Sequence, residues 1–179
     1  RARSGNDAML RAMRTYPERI LGYVILWLES REAVEEEVSR CLASGFTGIK
    51  LHCSNGFAYD DPAYEPAYEA AHARRLPVLC HTWGADREFK QIARVAPRFP
   101  DARYILGHAG SANPDAYVDF ANDHANAYLE LCFSRSPRGM VERLAEGAPV
   151  ERIVWGSDAT FLNQAQQIGK VVGADLPDE

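Results

Sequence analysis

Short apolar runs alternate with amphipathic stretches along the whole chain. Each run has the length of one strand, and most are unbroken by polar residues, which is typical of parallel strands buried on both faces. Six such runs predict strands at residues 22–28, 47–52, 77–81, 103–108, 127–133 and 152–157. The pattern therefore indicates a parallel sheet.

A helix is predicted after each of these strands. The clearest follows the first strand, where Val34, Val38 and Leu42 recur on one helical face. Ser30 precedes this helix as its N-cap, and Gly45 ends it. The other predicted helices cover residues 64–75, 86–95, 115–124, 137–146 and 162–172.

Alternating strands and helices predict an α/β fold, with one domain over residues 1–179. Two architectures fit the pattern. One is a closed (β/α)₈ barrel, which has eight strands and about 250 residues, represented here by six of its units. The other is a complete open sheet wound in both directions. A nucleotide-binding version of the open sheet is disfavoured, because no Gly-x-Gly-x-x-Gly follows the first strand.

Polar residues stand where the predicted strands end. In parallel α/β folds the strand ends meet at one edge of the sheet, and the chemistry is placed there. Lys50 and His52 are two positions apart, so they point to the same face. Neutral imidazoles with a carboxylate suit a divalent cation, most commonly zinc. The residues at the strand ends are Lys50, His52, His81, His108, Ser134 and Asp158.

Composition excludes several classes of function. The net charge is −5, which argues against a nucleic-acid partner. No apolar stretch reaches the roughly 20 residues of a membrane span, so no membrane association is expected. The four cysteines form no Cys-x-x-Cys pair. We interpret them as free, mostly buried thiols in a reducing compartment, and we expect the protein in the cytoplasm.

The motifs together resemble the amidohydrolase-related branch of the amidohydrolase superfamily. The resemblance rests on GFTGIKLHCSNGFAYDDPAYEPAYEAAHARRLPVLCHTWG, on YILGHAG and on RIVWGSDATF, in this order. It implies a (β/α)₈ TIM barrel with one divalent metal ion, usually zinc. It also implies that His81, His108 and Asp158 serve as metal ligands, and that His108 and Asp158 handle the proton in catalysis. Taken alone, Asp158 could equally cap the following helix.

Three functions remain open. The leading one is a metal-dependent hydrolase, in which the cation activates a bound water to attack an amide, ester or lactone carbonyl. The second is non-oxidative decarboxylation of an aromatic or unsaturated acid, and the third is a non-catalytic binding domain on a degenerate barrel. In either enzyme, Lys50, His52 and Trp83 would bind a small-molecule substrate that carries a carboxylate.

One departure from the family pattern concerns its first strand. The family begins with a His-x-His pair that supplies two ligands, and this sequence contains none. We therefore expect strands one and two of the barrel, and a further C-terminal helix, to lie outside this chain. A barrel lacking two strands would expose apolar edges, so we also expect a homo-oligomer.

Overall fold

A computed structural model describes residues 2–26, 30–52, 58–133 and 135–177. Six strands alternate with seven α-helices in the described part of the chain. The strands are β1 (Tyr23–Ile25), β2 (Gly48–His52), β3 (Pro77–His81), β4 (Arg103–Gly107), β5 (Ala127–Glu130) and β6 (Ile153–Val154). The helices are α1 (Ala2–Thr15), α2 (Arg31–Ala43), α3 (Glu65–Arg74), α4 (Asp86–Val95), α5 (Pro114–Asp123), α6 (Met140–Gly147) and α7 (Gln164–Val172), and short 3₁₀ turns cover Pro62–Tyr64 and Val150–Arg152.

The six strands form one parallel sheet in which each strand lies beside its neighbour in sequence, in the order β1-β2-β3-β4-β5-β6. A doubly wound sheet would reverse its strand order at a switch point. Right-handed crossovers between sequential strands place the helices on one face of the sheet. The strand order therefore rejects the open doubly wound alternative and matches the winding of a barrel.

Burial alternates along the strands as this winding requires. In β2, Ile49 and Leu51 are buried beneath the helices, whereas Lys50 and His52 lie on the opposite face and are partly exposed. The face that carries Lys50 and His52 continues into β3, because Lys50 pairs with Leu79 and His52 pairs with His81. The prediction that Lys50 and His52 share a face is thus confirmed.

Local geometry explains where the predicted elements stop. Ser30 caps α2 by accepting the Ala33 N–H at 3.1 Å, as predicted. β4 ends at Gly107, one residue early, because the φ of His108 is 62°. β5 ends at Glu130 because the Cys132 N–H bonds to the Glu130 side chain instead of a neighbouring strand. α6 begins at Met140 rather than residue 137, after Gly139 at φ 84°.

The described cysteines agree with their interpretation as buried free thiols. Cys41 and Cys132 are buried and form no disulfide among the described residues, and Cys80 is buried as well. Cys53, Ser134 and residues 27–28 of the first predicted strand lie outside the described residues. Within the described ranges, no helix combines the length and the apolar character that crossing a membrane requires.

A polar network joins α1 to the sheet. The side-chain amide of Asn6 donates to the Ile25 carbonyl at 3.0 Å and to Glu37 Oε1 at 2.8 Å, and it accepts the Ile25 N–H at 2.9 Å. Arg40 donates to both carboxylate oxygens of Glu37. Burial alone would raise the pKa of Glu37, but the hydrogen bonds from Arg40, Asn6 and Cys41 lower it from 4.5 to about 2.

This network predicts acid sensitivity. The folded protein lowers the pKa of Glu37, so the stabilisation is complete above about pH 4.5 and is lost as the pH falls towards about 2. Glu37→Gln should therefore lower the free energy of unfolding by about 2 kcal/mol at pH 7, and by much less at pH 3. Urea denaturation at both pH values measures the difference. Glu35→Gln, an exposed substitution on the same helix, is the control, and an equal loss at both pH values would contradict the prediction.

Candidate active site

Three of the predicted residues form one cluster of rings at the strand ends, with Trp83 beside them. His52 stacks on His81 with centroids 3.8 Å apart. Trp83 stacks on His108 at 5.0 Å and meets His81 edge-on at 4.6 Å. The backbone N–H of Trp83 donates to Glu88 Oε2 at 2.8 Å, which anchors this residue to the start of α4. The structure thus brings together the three strand-end histidines, and Trp83, proposed separately as a substrate-binding residue, lies against two of them.

The ring nitrogens of His81 and His108 face each other. Nδ1 of His81 lies 3.3 Å from Nε2 of His108. Two ligands of a tetrahedral cation, each at about 2.0–2.1 Å from it, are about 3.4 Å apart. Nε2 of His81 is buried and has no hydrogen-bond partner among the described residues. The spacing of the two facing nitrogens therefore fits one shared divalent cation.

The His81 imidazole is held in the form that binds metal. Burial, together with the smaller effects of the charges on His52, Lys50 and His108, lowers the pKa of His81 to about 3. Burial also lowers the pKa of His52, assisted by Lys50 and His108. Only a neutral imidazole offers a lone pair to a cation. The electrostatics of the cluster therefore favour ligation over protonation.

His108 adopts an uncommon backbone conformation. Its φ of 62° is left-handed, which costs a non-glycine residue on the order of 1–3 kcal/mol unless the surroundings hold it. The His108 N–H donates to Glu130 Oε2 at 3.2 Å. Nδ1 of the ring bonds to the carbonyl oxygen of Cys132. Since a carbonyl only accepts, Nδ1 carries the proton and Nε2 keeps its lone pair towards His81.

Lys50 lies on the same face of the sheet as His52, two residues before it in β2. Burial lowers the pKa of Lys50, while the negative charges of Glu130 and Asp158 act in the opposite direction. Its ammonium group makes no hydrogen bond or ion pair within the part of the chain that the structure describes. A desolvated ammonium without a partner is costly, so this position suits an anionic ligand.

Asp158 lies at the same edge of the sheet but does not touch the rings. It follows β6, is exposed, and has a left-handed φ of 48°. Burial lowers the pKa of both Lys50 and His52, and the charge of Asp158 partly opposes this shift. Asp158 is therefore within electrostatic range of both groups. It is not the cap of α7, because Asn163 accepts the Ala165 N–H at 2.8 Å in that role.

Two residues at the site escaped the sequence analysis. Glu130 is buried, and its carboxylate accepts hydrogen bonds from the His108 N–H, the Cys132 N–H and the Cys132 thiol. Potential ligand atoms of His108, Glu130 and Cys132 lie within 4.8 Å of one another. Each of these atoms is already engaged in a hydrogen bond, so we interpret the group as a polar network rather than a second cation site. The only sequence signal was a lone glutamate inside the apolar run AYLELCF.

The comparison with known families assigns the chain to one of them. The family model for amidohydrolases matches residues 2–179. This chain belongs to the amidohydrolase family. Its membership confirms the resemblance and places the chain in an enzyme superfamily.

The amidohydrolase chain is also similar to curated decarboxylases. It is 26% identical over 168 residues to the gamma-resorcylate decarboxylase of Rhizobium sp. strain MTP-10005, covering 73% of this chain and 50% of that protein. The gamma-resorcylate decarboxylase of Rhizobium radiobacter is 25% identical, with the same coverage. The chain thus spans about half the length of the curated relatives that it matches.

Solved structures confirm the TIM-barrel fold of this amidohydrolase. An uncharacterized TIM-barrel protein of Bordetella bronchiseptica matches with a TM-score of 0.81 and 16% identity, over 97% of this chain and 66% of that one. A dihydroxybenzoic acid decarboxylase of Polaromonas sp. JS666, solved with manganese and the inhibitor 2-nitroresorcinol, matches with a TM-score of 0.77 and 18% identity, over 99% and 70%. A neighbour thus carries a divalent metal, as expected, although that metal is manganese. Hydrolysis is supported only at the level of the superfamily.

Proposed function

We propose that this protein catalyses the metal-dependent, non-oxidative decarboxylation of a hydroxylated aromatic carboxylic acid. The observation that carries the proposal is the similarity to curated gamma-resorcylate decarboxylases. The cluster of imidazoles with lowered pKa, above a lysine that has no partner among the described residues, supports it from within the chain. Decarboxylation therefore replaces hydrolysis as the leading function.

His81, His108 and Asp158 are the residues that would hold the cation. The 3.3 Å separation of the two imidazole nitrogens and the neutral state of His81 suit this role. A divalent cation bound there would supply positive charge to draw in the carboxylate and a neighbouring hydroxyl of the substrate. Zinc is the commonest cation in histidine-rich sites, and manganese is the alternative that the Polaromonas neighbour suggests.

Lys50, His52 and Trp83 would bind the substrate. The ammonium of Lys50 has no partner in the described ranges and would bind an anionic oxygen. Trp83 is 46% exposed although it stacks on His108, so part of its indole remains available to an aromatic ring. His52 stacks on His81 and would lie beside the bound substrate. These contacts would hold an aromatic acid with its carboxylate towards the strand ends.

The reaction replaces a carboxylate by a proton. A proton adds to the ring carbon that bears the carboxylate, the bond between this carbon and the carboxylate breaks, and its electron pair returns to the ring as carbon dioxide leaves. Both ring nitrogens of His108 are engaged, whereas Asp158 is exposed and its carboxylate makes no hydrogen bond with a described residue. We therefore propose that Asp158 is the acid that delivers the proton to the ring carbon.

Product analysis tests the proposal. The full protein, loaded with manganese or zinc, is incubated with 2,6-dihydroxybenzoate in D₂O. We expect release of carbon dioxide and one deuterium on the ring carbon of the product. Asp158→Asn should lose this activity, since an amide can neither deliver the proton nor offer a negative charge to the cation. Turnover of amide, ester or lactone substrates without release of carbon dioxide would instead establish hydrolysis.

Metal content is a separate prediction. Elemental analysis of the full protein should find about one divalent cation per chain, and a chelator should remove both cation and activity. Adding back zinc and manganese separately then identifies the productive metal. A fully active protein without bound cation would contradict the assignment of His81, His108 and Asp158.

A further inference from the structure

Glu130 connects three neighbouring strands at the candidate site. It is the last residue of β5 and is only 7% exposed. Its carboxylate accepts the His108 N–H after β4, and its main-chain oxygen accepts the Ala109 N–H at 2.8 Å. On the other side it packs against Gly156, which follows β6. Glu130 therefore contacts the residues that follow β4 and β6 and links them to the end of β5.

The two hydrogen bonds that orient His108 both depend on this carboxylate. Oε2 accepts the N–H of His108 itself. Oε1 accepts the Cys132 N–H at 2.9 Å, and the carbonyl of the same Cys132 receives the His108 ring Nδ1–H. Neither backbone N–H has another acceptor among the described residues. The backbone conformation and the ring tautomer of His108 are thus set through one group.

The network requires an acceptor at both oxygens. Two N–H groups and one thiol point at the Glu130 carboxylate, and a carboxylate only accepts. A glutamine has one oxygen and one NH₂ group. In either orientation its NH₂ would face the N–H of His108 or of Cys132, and that N–H would lose its acceptor.

We propose that Glu130 is a positioning residue that holds His108 ready to bind the catalytic cation. The inference rests on the proposed function in one respect, that His108 holds the cation. We assign Glu130 no role as a ligand, because its carboxylate already accepts hydrogen bonds from His108 and Cys132. Its effect reaches the site through the main chain of His108 and of Cys132.

Amide hydrogen exchange of Glu130→Gln tests the network without any need for metal or substrate. We expect the amide of His108 or of Cys132 to exchange at least about tenfold faster relative to the amides of β3. The matched control is Glu37→Gln, because Glu37 is also a buried carboxylate that accepts from a thiol, Cys41, but lies on α2. Unchanged exchange at both amides of folded Glu130→Gln would overturn the proposal.

Metal affinity tests the consequence at the site. Glu130→Gln should weaken the Kd for zinc by about 10–100-fold, as loss of a partner of a ligand does, whereas Glu37→Gln should leave it unchanged. If Glu130→Gln does not fold, Glu130→Asp replaces it in both measurements, and wild-type exchange and Kd in that variant would overturn the proposal. A wild type that binds zinc but releases no carbon dioxide would refute the proposed function alone.

Discussion

Replacing His81 by phenylalanine should reduce decarboxylation more than 100-fold and remove most of the bound cation. Phenylalanine keeps a ring between His52 and Trp83 but deletes Nδ1, the atom that faces Nε2 of His108 at 3.3 Å. Loss of a residue that hydrogen-bonds to a metal ligand lowers metal affinity or activity by about 10–100-fold. Loss of the ligand itself should therefore lower both by more than that. Steady-state kinetics and elemental analysis of the same preparation give both quantities.

The control for this substitution is His124→Phe. His124 stands at the end of α5, packs against Phe120 and takes no part in the ring cluster. Activity and metal content should remain close to the wild-type values in this variant. Full metal occupancy in His81→Phe would show that the cation is held elsewhere.

The second large effect is expected at Gly156. An alanine Cβ at this position would lie 1.8 Å from Oε1 and 2.7 Å from Cδ of Glu130. The carboxylate cannot turn away freely, because it is buried and accepts the N–H groups of His108 and Cys132. We expect Gly156→Ala to lower the free energy of unfolding by about 2–4 kcal/mol, from overpacking and lost hydrogen bonds. Urea denaturation measures the loss.

Gly169→Ala is the matched control for this prediction. Gly169 lies within α7, and nothing approaches within 4 Å of the position of an added Cβ. Alanine should stabilise this helix by up to about 1 kcal/mol. If both variants changed stability equally, the close approach of Glu130 to Gly156 would not matter for folding. Gly156→Ala should also weaken zinc binding, since it displaces the carboxylate behind His108.

The strand-end histidines could be predicted because their position is encoded locally. His52 and His81 close apolar runs, and the parallel pairing of β2 with β3 places them side by side. Periodicity alone could not choose between a barrel and an open sheet, since both use the same units. The choice needed the strand order, which is a long-range property.

Glu130 could not be predicted for a physical reason. The predicted strand continued to residue 133 and placed its polar end at Ser134, which lies outside the described residues. The strand stops at Glu130 because its own carboxylate accepts the Cys132 N–H, the first N–H after β5 that does not bond to a neighbouring strand. That contact depends on the space beside Gly156, more than 20 residues away in sequence. The single domain over residues 1–179 and the homo-oligomer remain predictions.

The amide of Asn6 has a consequence for the pairing of β1. β1 is the outermost strand at one side of the described sheet, and such strands offer unpaired backbone groups to strands of other molecules. At Ile25 both the N–H and the carbonyl are occupied by the Asn6 side chain, which imitates the pairing of a strand. A strand that pairs with β1 at this point would first have to displace the Asn6 side chain.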